Sequence, residues 1–96
     1  MNVLWSTSAI DSFNQNIDYL QEEWSQKVLE DFLDKVDEAV ASISTYPLAF
    51  PIYGKHKNIR RCLVVKQITL FYRIKNQQIE LLLFWNNYRN PKRLKL

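Results

Sequence analysis

The sequence holds one cysteine, Cys62, and one histidine, His56, which excludes a disulfide framework and every metal site built on clusters of those residues. A lone thiol suits a reducing compartment. With a single glycine, Gly54, neither a dinucleotide-binding fingerprint nor a phosphate-cradling loop can be written. No apolar run approaches the roughly 18 residues of a membrane span. The opening Met1-Asn2-Val3-Leu4-Trp5-Ser6 lacks the charged-then-apolar layout of a secretion signal. The 96 residues match the size of one hydrophobic core. The expectation is therefore a single soluble, cytoplasmic domain spanning residues 1–96, without cofactor, metal or membrane partner.

Positive charge is scarce in the first half and negative charge in the second. Residues 1–50 carry nine acids against Lys27 and Lys35; residues 51–96 carry eleven bases against Glu80 alone. The overall charge of +3 thus hides a polarised molecule. Its acids suit the wet faces of helices, and its basic half suits an anionic partner.

The apolar pattern opens with a short strand, Val3–Ser6, followed by the hydroxyl caps Ser6, Thr7 and Ser8. Ile10, Phe13, Ile17, Leu20 and Trp24 then recur at steps of three and four, the stripe of a helix. Ser25 caps a second helix in which Leu29, Phe32, Val36, Ala39 or Val40, and Ile43 repeat that step. Two helices joined this closely double back as an antiparallel hairpin. Tyr46-Pro47 and Phe50-Pro51 break regular structure, and Gly54 closes a loop leading to the basic cluster Lys55, His56 and Lys57. Three strands follow, Ile59–Val65, Ile68–Ile74 and Ile79–Trp85, with turns at Lys66-Gln67 and Lys75-Asn76-Gln77. The last strand is apolar on both faces apart from Glu80, which places it inside the sheet, with the opening strand as its parallel neighbour. The fold class predicted is α+β: an N-terminal strand, an antiparallel helical hairpin, then a three-stranded antiparallel meander with the helices packed on one face.

Inventory removes several chemistries. His56 lies between two lysines in a Pro-bounded loop, a poor setting for the base of a nucleophilic triad. Cys62 falls in mid-strand as a small buried apolar residue. What remains is a basic, aromatic and amide-bearing set: Arg60, Arg61 and Arg73 on strands, Asn86-Asn87-Tyr88-Arg89-Asn90 after the last strand, and Lys92, Arg93 and Lys95 in the tail. Alternation puts Arg60 with Cys62 and Val64, and Arg73 with Thr69 and Phe71. With the more apolar sets turned to the helices, Arg60 and Arg73 are predicted to project from the open face. Two readings of them stand: clamps for phosphate or carboxylate beside Phe71 or Tyr88, or side chains that pair with acids and cover apolar surface.

The order of elements, with Ser8-Ala9-Ile10-Asp11-Ser12-Phe13 opening the first helix, Ile43-Ser44-Thr45-Tyr46-Pro47 ending the second, Ile59-Arg60 opening the meander, Phe71-Tyr72-Arg73-Ile74 in its middle strand and Asn90-Pro91-Lys92-Arg93-Leu94 after the last, resembles the RelE/ParE family of bacterial toxins. The resemblance covers nearly the whole chain. It implies the toxin half of a type II toxin–antitoxin, plasmid-stabilisation pair, neutralised by a cognate antitoxin protein. In the RelE-like branch such a toxin is a metal-independent endonuclease that cuts messenger RNA in the ribosome with basic side chains. The ParE-like branch poisons DNA gyrase and is not itself an enzyme. The long hairpin, roughly Ser8 to Ser44, looks like the ParE branch, and Cys62 and Thr69 stand where an endonuclease carries further bases. The resemblance therefore implies a gyrase-directed toxin, whose target-binding or nucleic-acid-binding residues would be Lys55, Lys57, Arg60, Arg73, Asn87, Tyr88, Arg89, Lys92 and Arg93. An endonuclease would instead use Arg60, Arg73, Tyr88 and Arg89. A third possibility implied is a non-toxic module retained for antitoxin binding or regulation.

Overall fold

Both helices begin where a serine hydroxyl is available to cap them. In a computed structural model, which describes residues 1–96 apart from the side chains of His56 and Lys57, Ser6 Oγ accepts from the Ala9 amide at 3.0 Å and Ser25 Oγ from the Val28 amide at 3.2 Å. The first hydroxyl opens helix α1 (Thr7–Glu23) and the second α2 (Gln26–Thr45). Strand β1 (Val3–Trp5) precedes them, and β2 (Ile52–Tyr53), β3 (His56–Val65), β4 (Ile68–Lys75) and β5 (Gln78–Asn86) follow. A single 3₁₀ turn at Pro91–Arg93 ends the regular structure.

The strands form one mixed sheet in the order β1-β5-β4-β3-β2. As expected for so apolar a strand, β5 lies inside, parallel to β1 and antiparallel to β4. The helices cover one face, α1 over β5 and α2 over β3, so the α+β class read from the sequence stands. The strand count rises by one, because β2 pairs Ile52 with Arg60 and the Pro51 carbonyl accepts from the Arg61 amide at 3.0 Å. Two strand residues between Pro51 and Gly54 show no period, so nothing in the sequence distinguishes them from loop.

The α2 stripe is buried as read: Leu29, Phe32, Val36, Ala39 and Ile43. The α1 stripe is buried only in part: Leu20 is fully buried and Phe13 and Ile17 pack against the core, but Ile10 is 47% exposed and Trp24 38%, and the remaining buried positions are Ala9, Ser12 and Asn16. The helix is turned so that two polar side chains face β5, and the reason is a shortage of strand partners. β1 ends opposite Leu81, and the extra residue Leu82 then breaks the register of β5 with β4. Beyond that point Phe84 has no neighbour strand on its β1 side. Ser12 Oγ accepts from the Phe84 amide at 2.9 Å, and Asn16 Nδ2 donates to the Phe84 carbonyl at 2.8 Å. Two side chains of a helix thus stand in for a missing strand, because a buried backbone group left unpaired is costly.

Both meander turns are two-residue loops, closed by Val65 opposite Ile68 and Lys75 opposite Gln78. The second is shorter by one residue than the sequence suggested. Asn76 and Gln77 adopt φ of 54° and 61°, the left-handed pair such a hairpin needs. Asn tolerates this region; Gln is strained there. Gln77→Gly is expected to raise stability by about 0.5–1 kcal/mol, the relief of strain less the added freedom of the unfolded chain. A denaturant midpoint no higher than that of the wild type would count against strain at this position.

Candidate functional site

The face to which each basic side chain belongs follows from the β3–β4 register. Arg60 stands opposite Tyr72 and Cys62 opposite Leu70, while Arg61 faces Phe71 and Ile59 faces Arg73. Leu70 and Tyr72 are fully buried under the helices. Arg60 therefore belongs to the helix side, and Arg61, Arg73 and Leu63 to the open side. This reverses the sequence expectation for most of β3, which sent the set Ile59, Arg61, Leu63 and Val65 inward and Arg60 outward; only Val65, beyond a register shift, packs against the core as expected. The inward positions of β3 are filled by Cys62 and Val64, leaving Leu63 66% exposed.

Arg60 meets the helix side at its rim, where its guanidinium closes the loop after α2. Nη1 donates to the Phe50 carbonyl at 2.6 Å and to the Leu48 carbonyl at 3.3 Å. Tyr72 completes the clamp, its hydroxyl donating to the Pro47 carbonyl at 2.6 Å. Burial pushes this phenol up to about 12, against the opposing pull of the Arg60 charge. A phenol whose folded-state value is raised stabilises the fold fully below its ordinary value near 10, and that stability is lost as pH rises through about 12. Wild-type protein is thus expected to lose stability across that alkaline window. Tyr72→Phe should start about 1 kcal/mol lower, from the lost hydrogen bond, and lose less over the same range. Melting curves at pH 8, 10 and 12 read both effects; equal alkaline losses in the two proteins would contradict the assignment.

On the open face Arg73 is engaged too. Its Nε lies 2.7 Å from Glu80 Oε1 on the neighbouring strand, with both side chains one-third exposed. Of the two readings offered for these arginines, the structure supplies an acid to Arg73 and loop carbonyls to Arg60. Phe71, expected as an open stacking surface, is buried beneath Tyr53, the rings 4.8 Å apart and near-perpendicular. Burial also pushes the Cys62 thiol up, which keeps it protonated and unreactive at neutral pH.

The segment after β5 is fixed by its amides. Asn87 donates its backbone N–H to the Gln67 carbonyl at 2.8 Å and its Nδ2 to the Lys66 carbonyl at 3.1 Å, while Oδ1 accepts from Thr69 Oγ1 at 2.9 Å. Asn86 Oδ1 accepts from the Tyr88 amide at 2.9 Å. The effect is to carry Tyr88 toward the turn of the helical hairpin, where its ring lies 5.8 Å from that of Trp24. Arg89 lines a hollow of about 70 Å³ with Ser12, Gln15, Asn16 and the end of β5. Lys55, Lys92 and Arg93 are exposed; the side chain of Lys57 lies outside the described residues.

The structure therefore separates the residues singled out from the sequence. Arg60 and Arg73 occupy opposite faces of the sheet, and Tyr88 sits at one end beside Trp24 and Lys66, which the sequence offers as a stripe residue and a turn residue and not as members of the site. Trp24 was read as the last member of a buried stripe, and only its position on the final turn of that stripe marked it as able to reach the surface. Among the described residues no group of three or more His, Cys, Asp or Glu is placed to hold a metal ion, and no helix is long and apolar enough to cross a membrane.

This architecture is shared with solved toxin structures. The chromosomal ParDE TA system from P. aeruginosa superposes with a TM-score of 0.72 at 12% identity, covering 90% of this chain and 95% of that one. The YoeB/ParE toxin from Agrobacterium tumefaciens gives 0.66 at 16% identity, with 92% and 100% coverage. The YoeB dimer from Staphylococcus aureus gives 0.61 at 16%, with 92% and 98%. At such identities the likeness is one of fold. No curated protein matches the chain. The family model for the ParE toxin of the type II toxin–antitoxin system, parDE, matches residues 3–91. With nearly its whole length matched, the chain belongs to the ParE toxin family of type II toxin–antitoxin systems.

Proposed function

We propose that this toxin acts by binding DNA gyrase, not by cutting RNA, and that a cognate antitoxin neutralises it. The observation that carries the reading is the separation of Arg60 from Arg73. Metal-free cleavage of a phosphodiester needs several cations preorganised around one phosphate. Here one arginine closes a loop on the helix side and the other is paired with Glu80 across the sheet. Only Tyr88 and Arg89 are left for an endonuclease, and Tyr88 is turned toward Trp24. The antitoxin partner is supported by family membership and by relatives solved as complexes, including YoeB–YefM from Staphylococcus aureus. The acid-poor second half of the chain suits a partner segment that is acidic.

The test is to induce the chain alone in bacteria and follow leucine and thymidine incorporation within minutes, with purified gyrase supercoiling alongside. Thymidine incorporation falling first, with supercoiling inhibited, is the expected result. An earlier fall in leucine incorporation with cleaved messenger RNA would overturn it in favour of the ribosome-dependent endonuclease. Unaltered growth would mean a non-toxic antitoxin-binding module.

A further inference from the structure

The sheet changes character halfway along β5. β1 stops at Trp5, which pairs with Leu81, and the extra residue Leu82 follows at once. Such a bulge breaks the strict alternation of a strand, so neighbouring side chains can turn to the same side. Leu82 and Leu83 both line one hollow of about 410 Å³, and Ile59 and Leu96 complete its apolar lining.

The charged part of the lining is only partly satisfied. Arg73 gives its Nε to Glu80 Oε1 at 2.7 Å, and among the described residues neither of its terminal amines has a partner. Lys95 lines the same hollow and forms no ion pair among those residues. With Glu80 matched by Arg73, these three side chains leave one positive charge in excess beside four aliphatic ones. Ser8 adds a hydroxyl at the rim.

Two common occupants do not fit. An extended peptide adds to a strand through free backbone groups along its edge. Past β1 those groups are taken: Ser6 Oγ donates to the Leu82 carbonyl at 3.3 Å, and Ser12 and Asn16 hold both backbone groups of Phe84. A nucleobase binds by stacking, and among the described residues no aromatic ring lines the hollow.

We propose that this hollow binds a small amphipathic carboxylate, its head on the free edge of Arg73 and on Lys95 and its aliphatic chain against Leu82, Leu83, Ile59 and Leu96. A guanidinium offers a fork that matches a carboxylate, and methylene groups buried on leucine surface supply the rest of the affinity. A mostly apolar lining with a few polar groups is the usual form of a small-molecule site. Lys95 and Leu96 belong to the tail and the other apolar and charged residues to the sheet, so an occupant joins the two. The inference goes beyond the gyrase reading, and its test contains neither gyrase nor antitoxin, so either can fail alone.

The full-length chain, labelled with nitrogen-15, is titrated with sodium octanoate while amide shifts are followed. Saturable shifts are expected at Arg73, Glu80, Leu82, Leu83, Lys95 and Leu96, with a Kd of the order of 1 mM for a ligand of about ten heavy atoms. Hexanoate, shorter by two methylenes, should bind about fifteenfold more weakly. Octanol and octylamine keep the chain but lack the anion, and should bind about tenfold more weakly or less well still. Lys95→Gln should weaken octanoate about two- to fivefold. Arg73→Lys leaves Glu80 a cation but removes the fork, and should weaken it about tenfold. Retained dispersion of the amide spectrum shows that each variant is folded. No saturation by 20 mM octanoate, octanol or octylamine binding as tightly as octanoate, shifts centred on the exposed Leu48 and Leu63, or unaltered affinity in a folded protein carrying both Arg73→Lys and Lys95→Gln would each overturn the inference.

Discussion

Ser12→Ala combined with Asn16→Leu is expected to lower the thermal midpoint by about 10–20 °C, and both residues are buried. Together they strip partners from both backbone groups of Phe84, whose N–H donates to Ser12 Oγ and whose carbonyl accepts from Asn16 Nδ2. Each buried group left unpaired costs about 1–3 kcal/mol. In a domain near 100 residues each kcal/mol moves the midpoint about 4–8 °C. The hollow beside them, about 70 Å³ and lined by Gln15 as well, admits water and sets the lower end of that range. Leucine at position 16 adds apolar surface, so burial alone predicts a gain. A scanning-calorimetry midpoint within about 3 °C of wild type would show that the edge of β5 finds other partners.

The second large effect is centred on the same residue. The Phe84 ring packs 5.4 Å from Trp5, 5.5 Å from Phe13 and 6.2 Å from Phe32, joining β1, both helices and β5 in one aromatic cluster. Phe84 is 2% exposed, so the space vacated by Phe84→Ala cannot be filled by a small rotation of one neighbour. The expected loss is about 3–5 kcal/mol, from both transfer and cavity terms, against a total stability of the order of 5–15 kcal/mol. Phe84→Leu should lose less, about 1–2 kcal/mol, because much of the volume is kept. Urea unfolding followed by circular dichroism should show a lower midpoint with an unchanged slope; a changed slope would mean that the denatured state, not the core, had been altered.

These residues also mark where the sequence was legible and where it was not. The α2 stripe could be read because every core position on it is apolar, and the meander because its strands alternate between recognisable turns. The face of α1 could be read only in part, because Ser12 and Asn16 are polar yet are buried to satisfy Phe84, a demand set by a strand about 70 residues away. The face of β3 was inverted for a related reason. Arg60 looks like surface in one dimension, and its inward placement depends on the Leu48 and Phe50 carbonyls, which only the folded loop presents. The basic tail was legible as charge, whereas its aromatic neighbour Trp24 was not, since the pairing with Tyr88 joins opposite ends of the chain. Periodicity reports what an element wants to bury; it does not report which backbone groups elsewhere lack partners.

The pairing of β1 with β5 sets the order of events during synthesis. Val3, Leu4 and Trp5 wait for Ile79, Glu80 and Leu81, and Ser12 waits for Phe84, 72 residues further on. No partly translated chain that ends before β5 can close the sheet or cover the aromatic cluster, and closing so long a loop is slow relative to forming the hairpin of α1 and α2. A chain that ends before β5 therefore leaves the aromatic cluster open and Ser12 and Asn16 without the backbone groups they pair with. Closure of the sheet is thus the last and longest-range step of folding, since the first strand can be seated only after the last has been made.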